Sequence, residues 1–279
     1  MGLRNLPTGI AAILSASLLG LFVLPLIALF IFATPGGILN EAQSPDFWSA
    51  LEVTVLASLI ALGVVVVLGV PLGYLLARRS FPGKAWVSSA VTLPVLVPHL
   101  VVGLALLLWV MPGTVVGGIL QRAGLTVFDT IWGVVLVMVY VGASYTVLAS
   151  EQAFLAVDRS TVEVVRTLGA TPTDAFLDVT LPLSLRGILA GALLSWARSI
   201  SEIGGFLILA YTVIPSPPYG GPVTNPAPVY IFNLYQEGAL GAAASAAALL
   251  LLIALAAFLA VRILERNGRL PWNRGSVGA

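Results

Sequence analysis

The stretch VTVLASLIALGVVVVLGVPLGYLLA, residues 53–77, holds no charged side chain, and Arg78-Arg79 closes it. Wound as a helix at about 1.5 Å per residue it would be about 37 Å long, enough to cross the roughly 30 Å hydrocarbon layer of a bilayer. The same signature repeats on both sides of it. No charge occurs from Asn5 to Asn40, with an apolar part from Ile10 to Ala33. Further gaps run over Ala85–Met111, with His99 inside, over Thr130–Ser150 and over Gly238–Val261. A fifth, Leu183–Ile214, carries Arg186 near its start and is interrupted by Arg198 and Glu202. With their flanks these define six expected spans, 9–33, 50–77, 85–111, 130–151, 183–214 and 238–264, in one transmembrane domain over 1–279. The first apolar run is too long for the core of a signal peptide and reads as a retained span.

Composition agrees. Of 279 residues, 59% are hydrophobic and only 9% charged, against roughly a quarter charged in a soluble domain. So few charges cannot cover a soluble globule of this length, so much of the surface must face lipid. The same balance excludes disorder and a nucleic-acid-binding domain. With no cysteine, a disulfide scaffold and cysteine metal sites are excluded too.

The positive residues orient the spans. Arg4 precedes the first; Arg78, Arg79 and Lys84 lie between the second and third; Arg159 and Arg166 lie between the fourth and fifth, with Arg186 at the cytoplasmic start of the fifth; Arg262 closes the sixth, and Arg266, Arg269 and Arg274 follow it. The alternate loops hold only Arg122. Because Lys and Arg stay on the cytoplasmic side, the reading is an all-α integral membrane protein with both termini cytoplasmic. Loops 34–47, 112–129 and 215–237 are then external. The segment IPSPPYGGPVTNPAP, rich in Pro and Gly, reads as an irregular, stiff loop. After Val261 only 18 residues remain, too few to bury a core, and no cytoplasmic sensing domain is expected there.

The cytoplasmic loop AVDRSTVEVVRTLGATPTDAFLDVTLP, 156–182, is patterned. Ser160 and Glu163 have capping-box spacing, predicting a helix over 161–168 that Gly169 stops. Thr171 is placed to cap a second short helix, with Pro172 at its first position and Asp174 at its positive end, running to about Val179. Pro182 is expected to begin the next element. Val162, Val165, Leu168, Phe176 and Val179 would form an exposed apolar ridge, which packs under the chain's own bundle or meets a partner.

Glu163-Val164-Val165, then Gly169, then Val179-Thr180-Leu181-Pro182 resemble the EAA motif of ABC-importer permeases, with valines at the two alanine positions. The resemblance implies the type I importer permease fold. It also implies a coupling unit over 158–180 that docks on an ATP-binding subunit. The residues it assigns there are Ser160, Glu163, Val165, Arg166, Leu168, Gly169, Ala170, Thr171, Pro172, Phe176, Leu181 and Pro182. Two further stretches resemble the molybdate/tungstate and sulfate branch. One is TLPVLVPHLVVGLALLLW, with Pro94 and Pro98, where His99 stands at a usual proline position. The other is SWARSISEIGGFLILAY, with an Arg-x-x-Ser-Glu-x-Gly run; the later NPAPVYIFNLYQEGAL is closest to archaeal-type tungstate permeases. They imply an oxyanion importer working as a homodimer with the path on its two-fold axis. Two ATP-binding subunits holding ATP and Mg, and an external solute-binding protein, complete it.

Pro94 and Pro98 remove backbone donors and predict a kinked third span. Arg198 and Glu202, four apart, share one helix face. Charges at membrane depth face a bundle interior or a watery path. Either Pro94, Pro98, Arg198, Ser199, Ser201, Glu202 and Gly204 line a translocation path, or Arg198 and Glu202 neutralise each other as a structural pair. His99, the one histidine, reads as a hydrogen-bonding packer. No enzyme motif, metal cluster or bound cofactor is expected on this chain. An ion-coupled secondary transporter would need midplane carboxylates and often inverted repeats; only Glu52 and Glu202 are candidates, and no repeat is visible.

Overall fold

The computed structural model describes residues 8–266. In chain order its elements are α1 (Thr8–Ala33), α2 (Pro35–Ala42), α3 (Pro45–Arg78), α4 (Lys84–Leu96), α5 (His99–Val110), α6 (Val115–Arg122), α7 (Ile131–Leu155), α8 (Arg159–Thr167), α9 (Pro172–Ala175), a π turn (Phe176–Thr180), α10 (Leu181–Ile200), α11 (Phe206–Leu209), α12 (Ala227–Gln236) and α13 (Leu240–Arg266). Among the described residues, pairing of the β kind is confined to two isolated bridges, Val213 with Thr224 and Ser216 with Tyr219. Arg4, Arg269 and Arg274 of the charge pattern, and the tail beyond Arg266, lie outside the described residues.

Four described helical stretches are long and apolar enough to cross a membrane: Gly9–Ala33, Pro45–Arg78, Ile131–Leu155 and Pro172–Ile200. A fifth exists if α4 and α5 count together, but they meet at 117°. The kink expected in the span over 85–111 is a full break between α4 and α5, and Pro98 is its cause. It has no N–H, and it biases the preceding residue away from helix; Val97 is extended, with φ −81° and ψ 132°. The Val97 N–H closes α4 on the Leu93 carbonyl at 3.1 Å, and α5 opens with the Val101 and Val102 N–H groups on the Pro98 carbonyl. Pro94 is absorbed inside α4 and buried.

The fifth expected span, 183–214, is displaced at both ends. The helix begins at Pro172 and ends at Ile200. Pro182 stands in the first turn of α10, as expected, but no break precedes it, because the chain winds through it by widening. The Leu181 N–H reaches back five residues to the Phe176 carbonyl, and Thr180 Oγ1 donates to the Ala175 carbonyl at 3.2 Å. Proline cannot bond the carbonyl four residues back and its ring crowds it; a π turn relieves both problems. Beyond Ile200 the apolar letters continue, but the backbone turns at 201–205, makes the single turn of α11 and then folds irregularly to 226.

The described residues fall into two compact units. One comprises 8–48 with 231–266, the other 49–230. In the first, Ala33, Ala244 and Ala248 pack with Leu29, Phe30 and Ile38. Ser245 Oγ reaches the Ala33 carbonyl at 2.6 Å, joining α1 to α13.

In the second unit, α7 is the central post, with Ile131, Val134, Val137, Met138 and Val141 in the main core. It meets α10 along small residues four apart: Gly187, Gly191, Ser195 and Ser199. A Cβ on Gly191 would lie 2.2 Å from that of Ala149, and one on Gly187 2.7 Å from that of Ala153. Ser195 Oγ donates to the Gly142 carbonyl at 2.7 Å and Ser199 Oγ to the Met138 carbonyl at 2.9 Å. Small residues let membrane helices approach, and hydroxyls then bond across. The segment after α11 packs inward too. Tyr219 is 1% exposed and its hydroxyl donates to the Pro222 carbonyl at 2.7 Å. The Ala227 N–H donates to Thr54 Oγ1 at 2.8 Å.

Candidate functional site: a capped helix pair and a buried ion cluster

The unit at 158–180 is locally specified, though not in every detail as expected. Its first cap is Asp158, whose Oδ1 accepts the Ser160 N–H at 3.0 Å. The helix therefore starts at Arg159, and Ser160 lies inside its first turn rather than forming a capping box with Glu163. Gly169 stops it with φ +99°, and the Ala170 N–H closes on the Val165 carbonyl at 3.3 Å. The second start follows the expected chemistry. Thr171 Oγ1 accepts the Asp174 N–H, Asp174 Oδ2 accepts the Thr171 N–H at 3.0 Å, and Pro172 occupies the first turn. These hydrogen bonds hold both carboxyls below their ordinary range. The cause is the Ser160 backbone N–H at Asp158 and the Thr171 hydroxyl, then its N–H, at Asp174.

The exposed apolar set differs from the expected ridge. Leu168 is 83% exposed, and Val164 and Leu177 are also open. Val162, Val165 and Val179 are half-buried. Phe176 turns inward. Its ring centroid lies 4.9 Å from that of Tyr74 and 6.3 Å from that of Phe154, so it anchors the unit to its own bundle and is no exposed contact. Arg78 does related work from the end of α3, donating to the Val157 carbonyl at 2.8 Å. Neither Tyr74 nor Arg78 has any local sequence signal that links it to residues some 80 to 100 positions away. Glu163, Arg166, Thr171, Pro172 and Pro182 are exposed, while Ala170 and Leu181 are half-buried.

The second cluster forms where α10 ends against the start of α5. Glu202 is 1% exposed. Its Oε1 accepts the Gly205 N–H at 2.8 Å, which ends the helix by a tight turn. Its Oε2 lies 2.8 Å from His99 Nδ1 and 3.4 Å from Arg198 Nη2. Arg198 Nη2 also contacts His99 Nε2, and Nη1 reaches Ser201 Oγ at 3.4 Å. The Arg198 side chain is 25% exposed and that of His99 36%, so two donors look outward over a buried carboxylate. Gly204 permits the approach: a Cβ there would stand 2.7 Å from that of His99.

Of the residues assigned to a path, the fold brings Arg198, Ser201, Glu202 and Gly204 together. Ser199 is buried, bonded to the Met138 carbonyl, and Pro94 is buried in α4. Pro98 is exposed at the break and serves by placing His99. Sequence reasoning missed His99 as a member; the available signal was its position directly after the proline that breaks the span.

Long apolar helices, a locally capped helix pair and a buried ion cluster are the parts of a membrane-spanning transport subunit. The chain belongs to the family described as binding-protein-dependent transport system inner membrane component, which matches residues 69–269; it is a multi-pass ABC-importer permease subunit, not an enzyme. It is 37% identical to the molybdate/tungstate transport system permease protein of Thermococcus kodakarensis, over 62% of this chain and 65% of that one. The probable molybdenum ABC transporter permease protein of Haloferax volcanii is 34% identical over 95% of this chain and 91% of its own. The sulfate transport system permease protein CysW of Escherichia coli is 30% identical over 74% and 70%. A chain of the bacterial alginate ABC transporter, solved with its alginate-bound periplasmic protein, has the same fold. Its TM-score is 0.68 at 21% identity, over 92% of this chain and 93% of that one.

Proposed function

We propose that this chain is the permease of an ATP-driven importer that moves molybdate or tungstate, delivered by an external solute-binding protein. In this reading six spans place both termini in the cytoplasm, two copies enclose the path on a two-fold axis, and two ATP-binding subunits dock on 158–180. ATP and Mg belong to those subunits. The observation that carries docking is the exposed Leu168 beside a Gly169 turn whose shape is specified by caps on both sides. The substrate class rests on the names of the relatives, with the sulfate-named ones less similar, and on Arg198 as an outward cation at the end of a membrane helix.

Leu168→Asp tests docking. The expected result is normal insertion, with loss of co-purification of the ATP-binding subunit or of solute-stimulated ATP hydrolysis; normal values for both would remove the docking role. Arg198→Gln tests the path. Glu202 would keep the Gly205 N–H and His99 as partners, so the fold survives and molybdate uptake falls. A variant that fails to assemble, with assembly restored in the Arg198→Gln/Glu202→Gln double change, would instead make the two a structural pair.

A further inference from the structure

Where α5 ends and α7 begins, the chain doubles back through α6 and leaves a cavity of about 290 Å³. Its walls come from Val64 of α3, Trp109 of α5, Val116 and Leu120 of α6, and Trp132 and Val139 of α7. Two local devices bring α6 there. Thr114 Oγ1 accepts the Gly117 N–H at 3.0 Å and caps the helix. Gly117 then lies flush on the end of α5, since a Cβ on it would stand 2.1 Å from the Met111 carbonyl oxygen. The lining side chains are apolar but for the two indoles. A buried water needs about two to four polar partners, so the space suits hydrocarbon. Along α7 it deepens from Trp132 to Val139, about 10 Å at about 1.5 Å per residue.

We propose that this cavity binds one acyl chain of an anionic phospholipid, whose phosphate is held by Arg122. Position is the first ground. Trp109 lies in the last turn of α5 and Trp132 in the first turn of α7, and tryptophan at the ends of membrane helices marks the level between hydrocarbon and headgroups. The covering helix is the second. Val116 and Leu120 of α6 face the cavity, while Val115, 82% exposed, and Ile119 look outward. A helix apolar on both of these sides belongs in the bilayer interface, not in bulk water. Charge is the third. Arg122 closes α6 and, at helical spacing, shares the outward face of Val115 and Ile119. It is the one Lys or Arg in the three loops expected outside. It is exposed, and the ion pairs among the described residues both belong to Glu202. Asp129, the one acidic residue of the 112–129 loop, is engaged elsewhere, its Oδ1 accepting the Thr212 N–H at 3.2 Å. A guanidinium at headgroup level with no carboxylate on it fits a phosphate, to which it can donate two parallel hydrogen bonds.

The test is photolabelling of the assembled transporter, with all its subunits, in phosphatidylcholine nanodiscs. They contain a small fraction of phosphatidylglycerol carrying a diazirine on one acyl chain; the same chain on phosphatidylcholine is the comparison probe. Labelled residues are located by peptide mass spectrometry. The expected result is label on the lining, at Leu136 and Val139 above all, several-fold stronger from the phosphatidylglycerol probe. Unlabelled phosphatidylglycerol should displace it far better than unlabelled phosphatidylcholine, while label on the exposed face of α1 should fall equally with either. Arg122→Gln should abolish the headgroup preference and leave the two probes equal. Leu120→Trp, which fills the cavity from its covering helix, should remove the label with both probes; co-purification of the partner subunits checks that each variant is folded. Equal labelling by the two probes in wild type, or a preference that survives Arg122→Gln, overturns the contact with phosphate and with it the anionic-lipid site. Label that survives Leu120→Trp puts the chain outside the cavity and overturns the proposal. So does a lining that takes label in the permease alone but none in the assembled transporter, because a second copy then covers it.

Discussion

At Gly169 a left-handed φ of +99° meets open space: a Cβ there would touch nothing within 4 Å. Any cost of substitution is therefore backbone strain, about 1–2 kcal/mol for an L-residue in such a conformation. Gly169→Ala should weaken ATP-binding-subunit capture partly and Gly169→Val more, while membrane insertion and the yield of permease stay unchanged. Phe176→Ala belongs to a different mechanism. It removes a ring from the Tyr74–Phe154 cluster, so it should lower the thermal stability of the permease alone, before any partner is added. Asp174 gives a pH signature. Its folded value lies below the ordinary 3.8, so its stabilisation of the second helix start is complete above that value and fades as pH falls through the lowered one. Asp174→Asn should therefore loosen this turn at neutral pH, read as faster amide exchange at Thr171, and the difference from wild type should vanish in acid.

At the level of elements, what could be read locally was read, and what depended on distant partners was not. Thr171-Pro172-x-Asp174 and Gly169 carry their signals within four residues, and the structure uses them that way. The first cap was misplaced because Asp158 offers the same chemistry as Ser160 and lies two residues earlier; local rules rank both. The π turn at 176–180 exists to carry a helix through Pro182, and a proline reads from sequence as a boundary. The fifth span was drawn too far because hydropathy cannot register that Glu202 folds back onto the Gly205 N–H. The α7–α10 seam makes a graded prediction. Ser195→Ala loses one hydroxyl bond across membrane helices, which averages about 0.6 kcal/mol. Gly191→Leu forces a side chain into the space of Ala149, and overpacking costs about 1–3 kcal/mol. Thermal unfolding in detergent should rank Gly191→Leu well below Ser195→Ala.

For the whole molecule, sidedness is the property to test, and the fold decides where to place the probes. Position 219 lies in a loop expected outside, yet Tyr219 is buried, so a cysteine there would report burial instead of topology. Val223, 63% exposed in the same loop, is the proper reporter. In sealed right-side-out vesicles, on a naturally cysteine-free background, Val223→Cys should react with an impermeant maleimide. Lys84→Cys should react only after permeabilisation; labelling at 84 in intact vesicles would overturn the six-span orientation.

The helix that runs unbroken from Pro172 to Ile200 has a mechanical meaning. Its 29 residues make a rod about 43 Å long at about 1.5 Å per residue. One end starts at the Thr171 cap, and the other runs into the ion cluster, with Arg198 in its last turn. A tilt of about 5° pivoting at the Gly204–Gly205 end would sweep the Pro172 end through about 4 Å on that length. If ATP-binding subunits dock on 158–180 as proposed, nucleotide-driven movement there is transmitted as leverage, with no chain of side-chain rearrangements between. Paired spin labels near residues 173 and 197 should keep a constant separation through the ATP cycle, while the distance from either to a fixed point on α7 changes. A separation that varied with nucleotide would mean that the π turn flexes as a joint and that the rod is no lever.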